Sequence, residues 1–517
     1  MSPLASLRNG LARLRAAGTI LANGTLYQGA GSGYRVRGWH APNTGPTATI
    51  VLAGDTLRNR CRALVRDNAW ARNIVETLVS SIVGTGFTPH PLFGAGDEFE
   101  SQRAASQRWV RDAQFAFRRW AKNAAIDGGN FDAAISLAVR GMIEAGDAFV
   151  VRIANPLNAP GGVPLQIRVL EAEMLPLWKH ETLDNGGTIR AGIEFDRDGN
   201  RVAYWFEAQH PGEFSLGRMP GTAAQLVRIP AADVLHFYRP IRPGMIRGEP
   251  WLAPVMQRLH DLGGYADSEV VRKRGAANFV FKIEAPDPYN VSEAVGELHD
   301  KAALDGQVDT VPGSTFVGGT GETLDLVQPA DVGPNFSAFF VQILREICAG
   351  PGVPYALATG DMSQETYTSH RAGLLEFRRR CEALQWGLVN PLLQRLWAWW
   401  LDEAVLSGVV VAARYVAWRE DYLDVEWVPQ GWSWVDPQKE VNAIGEELRL
   451  NLTSLTRVAA SRGESIDDIL REKAAERKLL RELGLSEPDA AAAVVRSPSP
   501  VDPEEVPPAQ RRTGTDG

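Results

Sequence analysis

The strongest constraint in this chain is a helical stripe near its C-terminal third. Leu374, Phe377, Cys381, Leu384, Leu388, Leu392, Leu396 and Trp399 follow one another in steps of three and four. That spacing puts the apolar side chains on one face of a helix, and a stripe this long has to be covered by other elements. Pro391 sits inside it, removes one backbone donor and predicts a kink. Trp386, Trp397, Trp399 and Trp400 add large rings to the same stretch. They read as core, with some free to face a neighbouring subunit. Immediately upstream the pattern reverses. "GVPYALATGDMSQETYTSHRAG", Gly352 to Gly373, holds five Ser/Thr, three Gly and one Pro. A polar break of that length between helical stretches marks a segment with a task of its own.

The rest of the chain alternates between the two periodicities. Residues 23–56, rich in Gly, Ser, Thr and Pro, read as an extended arm whose Tyr27, Tyr34 and Trp39 pack on something. From Leu57 the pattern is helical, with Leu57, Cys61, Leu64, Trp70, Ile74, Leu78 and Ile82 near one face and a stop at Gly84. Helices are also expected over 100–122 and from Asp132, a candidate N-cap, to Glu144. Alternation then takes over in "GDAFVVRI", "LQIRVLEAEML", "GIEFDRDGNRVAYWFEA" and "RIPAADVLHFYR", with Asp198-Gly199 as a two-residue hairpin turn. Residues 57–245 thus read as one α+β region. A helix follows, striped by Leu252, Val255, Leu259, Leu262 and Ala266, and ends near Gly275. A small mixed module over 277–333 separates it from a second helix carrying Phe336, Phe339, Ile343 and Ile347. Beyond the long stripe, three short helices are expected over 430–485. Asp436-Pro437 opens the first, Thr453 or Ser454 caps the second, and Ser465 caps the third. Residues 486–517, Pro-rich and polar, read as disordered.

Composition narrows the function classes. A chain of 517 residues with 44% hydrophobic and 22% charged content is an ordinary globular protein large enough for several domains. The net charge of −8 excludes a generally basic nucleic-acid binder and leaves only local or passing contacts with DNA. Cys61, Cys348 and Cys381 are odd in number, far apart and without CxxC spacing. They read as buried small hydrophobes rather than a disulfide framework or a zinc site. No stretch has the uninterrupted apolar length needed to span a bilayer. The first residues, "MSPLASLRNGLARLRAAG", put Leu4, Leu7, Leu11 and Leu14 on one helical face and Arg8, Arg13 and Arg15 elsewhere. Without a signal-peptide core, this reads as a short helix that docks on the protein itself or on a partner chain, with no membrane role.

Catalytic signatures are lacking. The sequence contains no GxxxxGK[ST], no GxSxG and no HExxH, and its eight histidines show no pairing at metal spacing. "GAGSG" at 29–33 has neither the strand nor the helix of a dinucleotide loop. Glu171 and Glu173 fall on one face of an expected strand, where they read as a solvated edge. Asp361, Glu365 and His370 lie in the polar break, but proximity in sequence supplies no catalytic geometry. The reading is of a protein that is not an enzyme, with no cofactor and no metal.

Three stretches resemble the portal proteins of tailed bacteriophages, of the lambda type. "HFYRPIRPGMIRGEPWLAPVMQRLHDLGGYADSEVVRKRGAANF" (236–279) is similar to the segment where a strand and an "RG-P-L-AP" turn enter the first stem helix. "LREICAGPGVPYALATGDMSQETYTSHRAGLLEFRR" is similar to the second stem helix, the "GVPY" turn and a Ser/Tyr-rich tunnel segment. "WVDPQKEVNA" resembles the lead into the crown. The similarity covers about residues 50–480, and the two ends carry no assignable pattern.

The resemblance implies a portal fold of the α+β class. Its parts would be an N-terminal arm (1–56), a wing (57–245), stem helices (250–276 and 335–350), a clip (277–333), a tunnel loop (351–367), a long kinked wing helix with a following strand region (368–429) and a helical crown (430–485). It implies a dodecameric ring at one capsid vertex, double-stranded DNA passing through the bore, and a separate terminase large subunit as motor. Major capsid or scaffold proteins and head–tail connector proteins would be its other partners. Met362, Ser363, Gln364, Thr366, Tyr367, Thr368 and Ser369 would line the channel. Duplex DNA carries one charge per ~1.7 Å, so basic contacts hold it tightly. A conduit is better served by polar side chains that touch phosphates and release them. A second class, a non-enzymatic oligomeric scaffold or adaptor that binds only proteins, fits the same absence of catalytic motifs.

Overall fold

The computed structural model describes residues 37–38, 40–94, 100–213, 225–277, 281–284, 323–326, 336–363, 365–432, 437–461 and 466–485. The expectations for the N-terminal arm up to residue 36, for most of the 277–333 module, for Gln364, for the Ser465 cap and for the C-terminal tail fall outside them. The chain forms two units of mixed helix and strand. One comprises Met1–Arg72, Gly141–Phe149 and Leu170–Pro351, and the other Asn73–Arg140, Val150–Val169 and Gly352–Gly517.

The first unit contains a helix, Pro46–Asp67, where the sequence predicts an extended arm up to residue 56. The small and polar residues there obscured a buried face of Ile50, Gly54, Arg58, Cys61 and Val65. Gly54 is part of that face because Leu177 packs where a Cβ would stand. The helical pattern expected to continue to Gly84 breaks at Asn68. Its side-chain oxygen accepts from the backbone N–H groups of Trp70 and Ala71, both at 3.0 Å, and starts a new helix, Ala69–Ile82. Helix Met256–Ala277 packs against Pro46–Asp67 and against helix Phe336–Ala349. The stripe expected there holds in part: Leu259 and Leu262 are buried on the helix, Leu252 and Val255 are buried in the 3-10 turn region before it, and Ala266 is half-buried. Phe339, by contrast, is 53% exposed.

A five-stranded antiparallel meander is the largest sheet among the described residues, in the order Glu181–Thr182, Thr188–Arg190, Ile193–Phe195, Arg201–Glu207, Leu226–Pro230. The hairpin expected at Asp198-Gly199 is wider than two residues. Asp196 closes it by accepting from the N–H groups of Asp198 (3.0 Å) and Asn200 (2.8 Å). "RIPAADVLHFYR" yields two strands, Leu226–Pro230 and Val234–Tyr238, because a 3-10 turn at Ala231–Asp233 interrupts it. Phe149, Tyr204, Phe206 and His236 cluster beside the sheet, with Phe149 centred 5.1 Å from Phe206 and 4.5 Å from His236. Of the 277–333 module, Phe281–Glu284 and Thr323–Leu326 form an antiparallel pair.

Asp147 anchors the interior of the unit. Its fully buried carboxylate accepts from Arg58 Nη2 (3.0 Å), Arg247 Nε (2.7 Å), His236 Nε2 (3.0 Å) and the backbone N–H of Gly248 (2.6 Å). Arg247 also donates to the carbonyls of Leu175, Ala191 and Ala172. A side chain at Gly248 would collide with the backbone of Gly146, so this Arg-Gly pair is fixed on both residues.

The second unit is built on aromatic packing. Strands Phe87–Pro91 and Val425–Pro429 pair antiparallel, with Pro89 opposite Trp427. Phe117 lies within 5.2–5.7 Å of Trp120, Phe131, Trp397, Trp400 and Trp427, measured between ring centres. Burying rings of this size contributes roughly 1.5–3 kcal/mol each. The long stripe supplies three of its tryptophans to the interior, Trp397, Trp399 and Trp400, while Trp386 is 57% exposed. The helix expected to start at Asp132 spans Phe131–Ala145, and Asn130 is its cap, accepting from Ala133 N at 2.7 Å. Asp132 instead accepts from Phe87 N at 3.2 Å and ties the helix to the first strand. The last three helices are Pro437–Arg449, Leu455–Ser461 and Ile466–Glu482, with Ser454 accepting from Arg457 N.

Next to Pro391, where a kink was expected, the helix changes its winding. Helix Tyr367–Leu384 passes into a π turn, Gln385–Val389, before helix Asn390–Leu406. The wider turn accommodates a proline that would otherwise press on the carbonyl four residues back. Gln385, buried in that turn, donates to the Ile82 carbonyl at 2.8 Å.

Candidate functional site: the polar segment before the long helix

The segment from Gly352 is more ordered than its composition implies. Pro354, with φ −56° and ψ 140°, leads into a short helix, Tyr355–Thr359, within the stretch expected to be all loop. Asn73 holds that helix by donating to the carbonyls of Leu357 (2.9 Å) and Ala358 (2.7 Å). Gly360 ends it in the left-handed region, φ 75°, its N–H returning to the Ala356 carbonyl at 2.8 Å. Gly352 takes φ 78° with the Arg380 guanidinium packed over it.

The described residues on either side of Gln364 are held by side chains. Asp361 accepts from the Tyr355 hydroxyl (3.1 Å) and from Ser363 N (2.9 Å). Glu365 pairs with His370 Nδ1 at 2.7 Å. Thr366 and Ser369 form a reciprocal capping box that starts helix Tyr367–Leu384.

The expected channel residues therefore divide. Thr366 and Ser369 are exposed but serve the helix start, and Tyr367, Thr368 and Ser369 lie in its first turn rather than in a loop. Met362 (55%) and Tyr367 (54%) are open to solvent, as are Ser363 and Thr368. Gln364 is outside the described residues. Of Asp361, Glu365 and His370, the last two are paired, while Asp361 is turned to Tyr355. Asn73, which holds the segment from 284 residues away, was invisible to motif reading, whereas Tyr355 was legible in the "GVPY" turn without its role toward Asp361.

Glu171 and Glu173 also depart from expectation. Glu171 ends a strand and Glu173 lies in a 3-10 turn. Arg62 donates to both, at 3.0 and 2.9 Å, and His210 Nε2 lies 2.9 Å from Glu171. The three could offer ligand atoms to a cation, but Arg62 already supplies the positive charge. Among the described residues, no helix is long and apolar enough to cross a membrane.

With this arrangement in view, the class is defined by comparison: residues 32–385 match the model of the lambda family of phage portal proteins. The chain belongs to that family. It is 25% identical over 474 residues to the probable portal protein of Halomonas phage phiHAP-1, covering 90% of this chain and 89% of that one. It is 22% identical over 510 residues to portal protein B of Escherichia phage lambda, covering 91% and 93%. Among solved structures, it matches a chain from the neck of a native GTA particle computed with C12 symmetry. That match has a TM-score of 0.41 and 14% identity, over 82% of this chain and 95% of that one.

Proposed function

We propose that this chain is the subunit of a portal, a ring-shaped DNA conduit at one capsid vertex through which a genome is packaged and ejected. The observation that carries this reading is the family match over residues 32–385, which includes the polar segment and the start of the long helix behind it. Twelve copies close head to tail, since a heterologous contact whose rotation closes makes a ring. The terminase large subunit, capsid or scaffold proteins and head–tail connector proteins dock on it, and the duplex slides through the bore.

In this reading, Met362, Ser363, Gln364, Tyr367 and Thr368 face the DNA. Thr366 and Ser369 hold the helix that presents them. The two carboxylates of the segment, Asp361 and Glu365, keep it from gripping phosphates. The chain is a passive conduit and does not turn over ATP. Native mass spectrometry of the purified chain tests the assembly and is expected to give large closed rings. Only monomers or dimers over a range of salt would refute it, and rings that never admit DNA would favour the protein-only scaffold.

A further inference from the structure

The second unit carries a groove with features of a built receptor. Leu92, Phe93, Trp109, Val411, Trp418 and Tyr422 line a space of about 1110 Å³ that opens to solvent. At its floor Phe93 stacks on Tyr422 with 4.0 Å between ring centres, and Trp109 lies 4.7 Å from Tyr422 and 5.2 Å from Phe93. Trp109 Nε1 is buried with no hydrogen-bond partner among the described residues. An indole N–H in that position is costly unless an occupant supplies an acceptor. The edge is apolar and acidic: Val411 is 84% and Trp418 52% exposed, and Glu420, Asp421 and Asp424 line it with Arg414, Glu420 lying 3.6 Å from Arg419.

We propose that this groove receives residues 1–22 of a neighbouring copy of the chain. That segment lies outside the described residues. It places Leu4, Leu7, Leu11 and Leu14 at helical spacing, carries Arg8, Arg13 and Arg15, and contains no acid. The leucines match the aromatic floor and the arginines match the acidic edge. Residues 23–36 provide a tether that reaches about 50 Å when extended. Segment and groove are different surfaces, so the contact is heterologous, the kind that joins neighbours around a ring. The inference thus rests on the ring reading for the source of the segment.

The test uses full-length chains. One carries Leu11→Cys and a second Val411→Cys; they are mixed, assembled and oxidised. Burial pushes the thiols of Cys61 and Cys381 up to about 12 and that of Cys348 to about 11, so the native cysteines stay out of the reaction. A disulfide between the two kinds of chain is expected. A chain with both substitutions that links only within itself would overturn the neighbour as source.

A labelled peptide of residues 1–22 is then added to full-length chain carrying Leu7→Asp and Leu11→Asp. Saturable binding that weakens at least tenfold with Trp418→Ala and Asp421→Lys is expected. No binding, or binding insensitive to those exposed positions, while the chain still forms rings, would overturn the inference and leave the portal reading standing. Specific peptide binding by a chain that never assembles would support the groove and count against the ring.

Discussion

At the scale of single residues, Asp147 carries the most weight. Burial alone would raise its pKa, but Arg247, then His236 and Arg58, hold the carboxyl well below the usual range. Asp147→Asn leaves two buried guanidiniums without their counter-charge. It is expected to cost about 3–5 kcal/mol, read as a lower denaturant midpoint. His236 moves in its own direction. Burial, with Arg201 and Arg247 nearby, brings its imidazole down to about 4 from 6.5, against the pull of Asp147. The unfolded chain therefore takes up this proton more readily than the folded one. The stabilisation is whole above about pH 6.5 and is lost as pH falls toward 4; that of Asp147 is lost only below about pH 4. The denaturant midpoint should fall between pH 7 and pH 5, and His236→Gln should flatten that fall. An unchanged slope in the variant would remove His236 from the account.

At the scale of elements, the start of helix Tyr367–Leu384 depends on one reciprocal contact. Thr366→Ala removes a capping oxygen and should cost about 0.5–2 kcal/mol. Amide exchange at Tyr367–His370 should speed up, while exchange in Asn390–Leu406 stays slow. Elements with a strong period were legible in the sequence as helices, but their buried faces only in part. Phe377, Cys381, Leu396 and Trp399 are buried as expected, whereas Leu374, Leu384, Leu388 and Leu392 are half-buried and Gln385, Val389 and Leu393 take interior places. The elements missed depended on partners distant in the chain. Helix Pro46–Asp67 was hidden because one buried position is a glycine under Leu177 and another is Arg58, whose burial makes sense only beside Asp147. The polar segment was legible as a special region but not as a short helix and a capped helix start, since Asn73 and Tyr355 supply the order. The Arg-Gly pair of the 236–279 stretch was legible only as a resemblance; its physical basis is the Asp147 network.

At the scale of the whole molecule, the polar segment and the ring can be separated by experiment. Removing Met362–Thr366 should leave assembly intact, with rings of unchanged mass, while DNA packaging or retention fails. Loss of rings with a folded monomer would make the segment an assembly element instead. The division of the chain has a further consequence during synthesis. The chain passes between its two units after Arg72, Arg140, Phe149, Val169 and Pro351. Phe117 and Phe131 leave the ribosome long before Trp397, Trp400 and Trp427, whose rings pack on them. At about 5–20 residues per second, the roughly 280 residues between Phe117 and Trp397 take on the order of tens of seconds. Through that interval the nascent chain displays bare aromatic surface in a crowded cell, and a holding chaperone has something to grip.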